Sequence, residues 1–211
     1  MGTSTPTRRR GTIQLGGIQL LAVMVALMWA IELINKIDGQ GLNQDGIEPR
    51  NVDHLWAIFT APFLHAGFQH LESNTVPFVF MGVIIALKGA KRLALVTIIV
   101  ILVSGLGTWL IAPGNENIVG ASGVVFGYAT YLFTRGVFNR DVLELLVAVV
   151  VGVVWGAALL ASIVPQAGIS WQDHACGAIG GVVAAALLSR ERKPTSGAAG
   201  PAGGARLAAG P

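Results

Sequence analysis

Apolar residues in this chain come in long runs broken by short polar punctuation. Six runs read as helices, with limits near 14–36, 69–88, 91–112, 121–135, 142–163 and 172–189. Several approach or reach the ~20 residues that a helix needs to cross a bilayer. The run at 121–135 is the shortest of the six. The expected fold is an all-α membrane protein, a six-span bundle over residues 14–189. Residues 38–68 form a long connection carrying Trp56, Phe59, Phe63 and Phe68, rings that suit a segment lying at the membrane interface. Residues 1–13 form a short leading segment. Residues 190–211, rich in Gly, Ala and Pro, read as a disordered tail that cannot build a core.

Composition supports the bilayer reading. The chain is 53% hydrophobic and 12% charged, against about 25% charged in a soluble domain. A single cysteine, Cys176, excludes a disulfide framework and a zinc-type cysteine cluster. The net charge of +3 does not mark a nucleic-acid binder, because the basic residues are not clustered with aromatics on a soluble face. Arg8, Arg9 and Arg10 before the first run resemble a signal peptide. The run is longer than a signal core, however, and Asn35-Lys36-Ile37 follows where small residues would be needed, so a retained helix is expected.

The basic residues instead fix an orientation. With the N-terminus inside, Arg8, Arg9, Arg10, Lys88, Lys91, Arg92, Arg135, Arg140, Arg190, Arg192, Lys193 and Arg206 are cytosolic. Only Lys36 and Arg50 of the 14 Lys and Arg are then outside. Both termini are therefore expected in the cytoplasm of a plasma-membrane protein.

Polar side chains inside spans are costly, and they mark function by default. His70 and Asn74 fall on the second run, Ser122 on the fourth and His174 on the sixth. At ~1.5 Å per residue from the cytosolic basic residues, they stand about 27, 21, 20 and 24 Å up. All four lie in the outer half of a core about 30 Å thick. Taken alone, a serine in a span more often bonds its own backbone or a neighbouring helix, and a lone histidine is as often an interhelical hydrogen bond. Three helices bringing polar groups to one level, with Gly120 and Gly123 around the serine, reverse those odds. The helix starting at Ser122 offers unpaired N–H groups and a positive dipole end, which suit a developing oxyanion. The irregular loop above it is tolerable only where it lines a water-filled cavity. His174, Gly177 and Gly181 share one helical stripe whose small residues permit close helix packing. An imidazole brought within reach of the serine supplies the base that a hydroxyl nucleophile requires.

Gly120-Ala121-Ser122-Gly123, the run from His65 through His70 to Asn74, and His174-Ala175-Cys176-Gly177 with Gly181 resemble the GxSG, HxxxxHxxxN and last-helix signatures of the rhomboid intramembrane serine proteases. The resemblance covers about residues 54–189. It implies a Ser–His dyad, with Ser122 as nucleophile and His174 as general base. It also implies an oxyanion site of His70, Asn74 and the Ser122 N–H. His65 is expected to order the outer loop, and the 142–163 helix, with Gly152, Trp155 and Gly156, to act as a gate. Asp173 is not counted as a third acid, because adjacent helical positions point different ways. Two positions depart from the family. Trp56-Ala57 replaces a Trp-Arg pair, so a less firmly anchored loop is expected. Phe126 replaces a tyrosine one turn after the serine, and it stacks without donating a hydrogen bond.

The implied function is endoproteolysis of single-span membrane proteins near the outer ends of their helices, where helix-weakening residues permit unwinding, with a small residue before the scissile bond. No cofactor is implied. A catalytically silent relative that binds membrane clients is the main rival. A metal site built on His65, His70 and His174 ranks lower, because no HExxH occurs. A reporter fused after Arg192 is expected to read as cytosolic and one inserted near Gln44 as external. The reverse pattern would place the polar level in the wrong leaflet.

Overall fold

The computed structural model describes residues 15–139, 142–166 and 168–188. The expected leading segment 1–13 and tail 190–211 lie outside the described residues. Among the described residues the helices are α1 (Leu15–Ile37), α2 (Ala57–Thr60), α3 (Phe68–Ala86), α4 (Ala90–Ile111), α5 (Ser122–Asn139), α6 (Val142–Ile163) and α7 (Trp171–Leu188). Short 3-10 turns at Gly41–Asp45 and Ala61–Phe63 shape the connection between α1 and α3. The only β pairing among the described residues is two isolated bridges.

Three helical stretches, Leu15–Ile37, Ala90–Ile111 and Leu145–Ile163, are long and apolar enough to cross a membrane. The other long helices, α3, α5 and α7, carry the polar residues singled out by sequence. The α1 and α6 surfaces leave Val23, Leu33, Val153 and Leu160 exposed. Continuous apolar exposure of this kind is an anomaly in water and the expected surface in lipid.

The fourth predicted helix differs from expectation. It begins at Ser122, but it runs on to Asn139 and is as long as α7, 18 residues. Arg135 does not stop it. The guanidinium donates to the Tyr131 hydroxyl at 3.0 Å, one turn back, so the charge is accommodated along the helix.

Helix α7 packs against both α5 and α4, and glycine makes both contacts possible. A Cβ on Gly177 would collide with the Gly123 carbonyl, and one on Gly181 with the Gly127 carbonyl and Thr130 Oγ1. On the α4 side, a Cβ on Gly107 would collide with Cys176, and one on Gly180 would sit 3.1 Å from Val100 Cα. Thr130 Oγ1 donates across the α5–α7 seam to the Ala178 carbonyl at 2.8 Å. Toward the other end of the bundle, the buried Tyr128 hydroxyl meets Thr97 Oγ1 at 2.6 Å and joins α5 to α4. Arg92 Nη1 donates to the Leu188 carbonyl at 2.8 Å and caps the end of α7.

The outer connection is anchored by Arg50, one of the two basic residues expected on the outer side. Arg50 Nη1 donates to the carbonyls of Leu110 and Ala112 at 3.2 and 2.7 Å, closing the C-terminal end of α4. Its backbone N–H bonds the Trp109 carbonyl at 3.0 Å, and Trp109 Nε1 returns a bond to the Asn51 carbonyl at 3.0 Å. The expectation of a loosely held loop, based on Ala57, is thus corrected: Ala57 is itself buried, and a guanidinium seven residues earlier supplies the anchor.

The seam sets a test. Gly181→Ala is expected to cost about 1–3 kcal/mol of stability, because an added methyl meets a fixed backbone carbonyl. Gly152→Ala on α6, where nothing lies within 4 Å of the new Cβ, is expected to leave stability unchanged or slightly raised. Thermal midpoints in detergent measure both. Equal effects of the two substitutions would show that the seam is not tightly packed.

Candidate active site

The segment entering α5 is held by hydrogen bonds on every side. Ile47 and Ile118 exchange backbone bonds of 2.9 and 3.0 Å. Gly120 N–H donates to the Ala61 carbonyl at 2.9 Å, and Ala121 N–H donates to His65 Nε2 at 3.4 Å. Gly120 has φ +124°, a region that side-chain-bearing residues rarely adopt, and a Cβ there would lie 2.7 Å from His70 Cε1. Glycine is therefore required at this position both by the turn and by the histidine behind it. The first intrahelical bond of α5 runs from Val125 N–H to the Ala121 carbonyl. The Ser122 N–H, one of the orphan donors of the helix start, has no acceptor among the described residues.

His65 is fully buried. Its backbone carbonyl accepts from Asn35 Nδ2 at 3.3 Å, so α1, the outer loop and the residue before Ser122 meet at one residue. Burial, together with the nearby His70, pushes the His65 imidazole down to about 4, against a smaller opposing effect of the Phe63 backbone. A neutral ring at ordinary pH is what an acceptor for Ala121 N–H must be.

His70 lies edge-on to His65, with ring centroids 5.2 Å apart. Its Nδ1 accepts from Ala66 N–H at 3.4 Å. In the neutral ring the proton then sits on Nε2, on the side facing Gly120. Asn74 is buried, and its Nδ2 spends one hydrogen on the His70 carbonyl at 3.0 Å. The second amide hydrogen is left for another acceptor.

His174 stands in the first turn of α7. Phe126 stacks on it nearly parallel, at 10° and 4.4 Å between centroids. Its Nδ1 lies 2.8 Å from the carbonyl of Ser162 near the end of α6. A carbonyl only accepts, so Nδ1 carries the proton and Nε2 holds the free lone pair. The imidazole is thus oriented by a backbone carbonyl, the position that a carboxylate fills in a Ser-His-Asp triad.

Asp173, set aside by sequence reading, is buried beside the serine. Its carboxylate accepts from Ser104 Oγ, from Thr108 Oγ1 at 3.4 Å and from Ser122 Oγ at 3.4 Å. Ser104 Oγ reaches the Asp173 backbone carbonyl as well, at 3.0 Å. Asp173 makes no hydrogen bond to His174, so it does not act as the third member of a triad. Its contact is with the serine itself.

Ser122, His174, His70 and Asn74 line one cavity of about 380 Å³, together with Ser73 and Ser170. A second cavity of about 310 Å³ shares His70 and Ser170 and extends toward Glu116 and Gln166. The four polar residues from three runs therefore meet. Gly123, Gly177 and Gly181 lie in the seam that brings α5 and α7 together, and Gly120 and His65 back the cavity. Ser122 and His174 are not hydrogen-bonded to each other, because the hydroxyl is turned to Asp173.

The chain is similar to known proteins. A family model described as the Rhomboid domain matches residues 52–191. An uncharacterized protein of Mycobacterium tuberculosis is 40% identical over 199 residues, 90% of this chain and 82% of its own. One from Mycobacterium leprae is 39% identical over 200 residues, 90% of this chain and 78% of its own. A Bacillus subtilis protein provisionally named a rhomboid protease is 36% identical over 80 residues, 37% of this chain and 40% of its own.

The depressed His65 carries a pH dependence. Below about pH 6.5 the unfolded chain takes up a proton that folded His65 refuses until about 4. Stability supplied by this site is therefore present above that window and is lost as pH falls through it. The thermal midpoint of the wild type is expected to drop more steeply between about pH 6.5 and 4 than that of His65→Gln. Parallel curves for the two proteins would show that His65 is not held neutral.

Proposed function

The chain belongs to the rhomboid family, and from that premise we propose that it is an active intramembrane serine endopeptidase using a Ser122–His174 dyad. It is a multi-pass membrane protein. We read its six long helices as spans, with both termini cytoplasmic and the cavity opening to the outer side. The observation that carries the proposal is the shared cavity. It holds a hydroxyl at a helix N-terminus and an imidazole whose Nδ1 is taken by a backbone carbonyl, and its lining includes His70 and Asn74, two residues with N–H groups left to donate.

In this reading the Ser122 hydroxyl rotates toward His174 and attacks the scissile carbonyl carbon as Nε2 takes its proton. The negative oxygen is received by the Ser122 N–H, His70 Nε2–H and the free hydrogen of Asn74 Nδ2. His174 returns the proton to the departing amine, leaving an acyl group on Ser122. Water from the cavity then hydrolyses that ester with His174 again as base. Substrates are single-span proteins whose helices unwind near the outer face. Phe126 supports the imidazole by stacking, and α6 is the candidate gate for lateral entry.

Ser122→Ala is expected to abolish both cleavage of a model single-span substrate and labelling by a fluorophosphonate, with the protein still folded. Asn74→Ala is expected to lower kcat by up to ~10²–10³, with KM little changed, because its hydrogen bond strengthens as charge develops. His70 and the Ser122 N–H share that load, which makes the lower end the expected value. Persistent cleavage by purified Ser122→Ala would remove the serine mechanism. Neither labelling nor cleavage by the folded wild type would favour a client-binding role instead.

A further inference from the structure

The proposed dyad leaves one buried carboxylate unassigned, and it is the group that the nucleophile touches. We propose that Asp173 is a positioning residue for Ser122: it holds the serine hydroxyl in a resting rotamer turned away from His174, and the hydroxyl must leave it before attack. This rests on the protease reading of the same cavity.

The arrangement around Asp173 is too specific for a helix staple alone. Ser104 and Thr108, one turn apart on α4, both donate to Oδ1. The Ser122 hydroxyl donates to Oδ2, at 3.4 Å. The two oxygens therefore have different duties: Oδ1 is fixed by the scaffold, and Oδ2 faces the serine. A Cβ at Gly123 would strike both the Asp173 carboxylate and Ser104 Oγ, so the glycine after the serine makes room for this contact. The long 3.4 Å distance describes a weak hold, one that a hydroxyl leaves by rotation about a single bond. Meanwhile His174 is held by Ser162 and Phe126, with Nε2 unoccupied. The base is in place and the nucleophile is parked.

Asp173→Asn separates a latch from a staple. The hydroxyls of Ser104 and Thr108 demand an acceptor, so the amide oxygen takes the Oδ1 place and the NH₂ takes the Oδ2 place. An NH₂ donates to Ser122 Oγ and cannot accept from it. The serine proton then has to find another acceptor, and His174 Nε2 is available. Folded Asp173→Asn is expected to react with a fluorophosphonate several-fold faster than wild type, and to show a higher kcat on a model substrate with KM unchanged. A staple predicts loss of stability with no gain in reactivity. An unchanged or reduced labelling rate per folded molecule overturns the proposal.

A second measurement does not depend on that variant folding or on activity. The ¹⁵N resonance of His174 Nε2 is compared between wild type and Ser122→Ala. If the hydroxyl is parked on Asp173, removing it leaves the Nε2 shift in place. A clear displacement of the shift shows a resting Ser122–His174 bond and overturns the proposal. A wild type that neither labels nor cleaves refutes the protease reading, while the ¹⁵N comparison still decides where the hydroxyl points.

Discussion

The backbone-to-backbone approach of α5 and α7 governs the rest of the molecule. Ser122 opens α5 and His174 lies in the first turn of α7, so the distance between them is set by how closely two helices pack. Gly177 and Gly181 bring the α7 backbone against the carbonyls of Gly123 and Gly127, where no side chain intervenes. In lipid, helices gain nothing by hiding apolar surface from one another, so such an approach must rest on van der Waals fit and hydrogen bonds. The Thr130–Ala178 bond and the Asp173 carboxylate, which ties α4, α5 and α7, supply the latter. Close placement of Ser122 and His174 thus follows from the absence of side chains as much as from their presence.

The second constraint is the irregular chain between α4 and α5. Non-helical backbone at membrane depth survives only where its polar groups are paired or face water. Here residues 112–121 pair with the outer loop through Ile47, Ala61, Asn43 and His65. Asn117 Nδ2, for example, donates to the Asn43 carbonyl at 2.8 Å. The loop that looks peripheral in sequence is therefore one wall of the site. It supplies the acceptors for the Gly120 and Ala121 N–H groups, whereas Ser122 N–H receives none from it.

Sequence patterns reveal some of these features and conceal others, for physical reasons. Long apolar runs report helices directly, because a span must be apolar along most of its length. The start of α5 was readable from the glycines around Ser122. Its end was not, because Arg135 looks like a boundary until Tyr131 is seen beside it. The level shared by His70, Asn74, Ser122 and His174 followed from counting residues, since a straight helix converts number into depth. Arg50 was invisible because its partners are backbone carbonyls of residues 60 and 62 positions away, which leave no pattern. Ser162 was invisible for the same reason. The sequence excludes Asp173 as a partner for His174 but gives no sign of its contact with Ser122. Consecutive residues on a helix do point apart, and that geometry sends the carboxylate toward Ser104 and Ser122 while the imidazole faces Phe126.

The orientation of His174 has a consequence for how the site works. A carboxylate beside Nδ1 both fixes the ring and stabilises the imidazolium formed during attack. The Ser162 carbonyl fixes the ring but brings only a dipole. Its position also depends on α6, where the apolar window is 11% buried, against 39% for α4. The helix that orients His174 is thus less embedded in the bundle than α4, whose Ser104 and Thr108 hold Asp173. A substrate helix entering beside α6 would act on the part of the scaffold that sets the tautomer and direction of the imidazole. In the proposed dyad, binding and alignment of the imidazole would be linked through that one hydrogen bond, while the backbone at the start of α5 is held by its glycine contacts with α7. The His174 ring is thus oriented from an exposed helix, and the Ser122 backbone from the packed seam of α5 and α7.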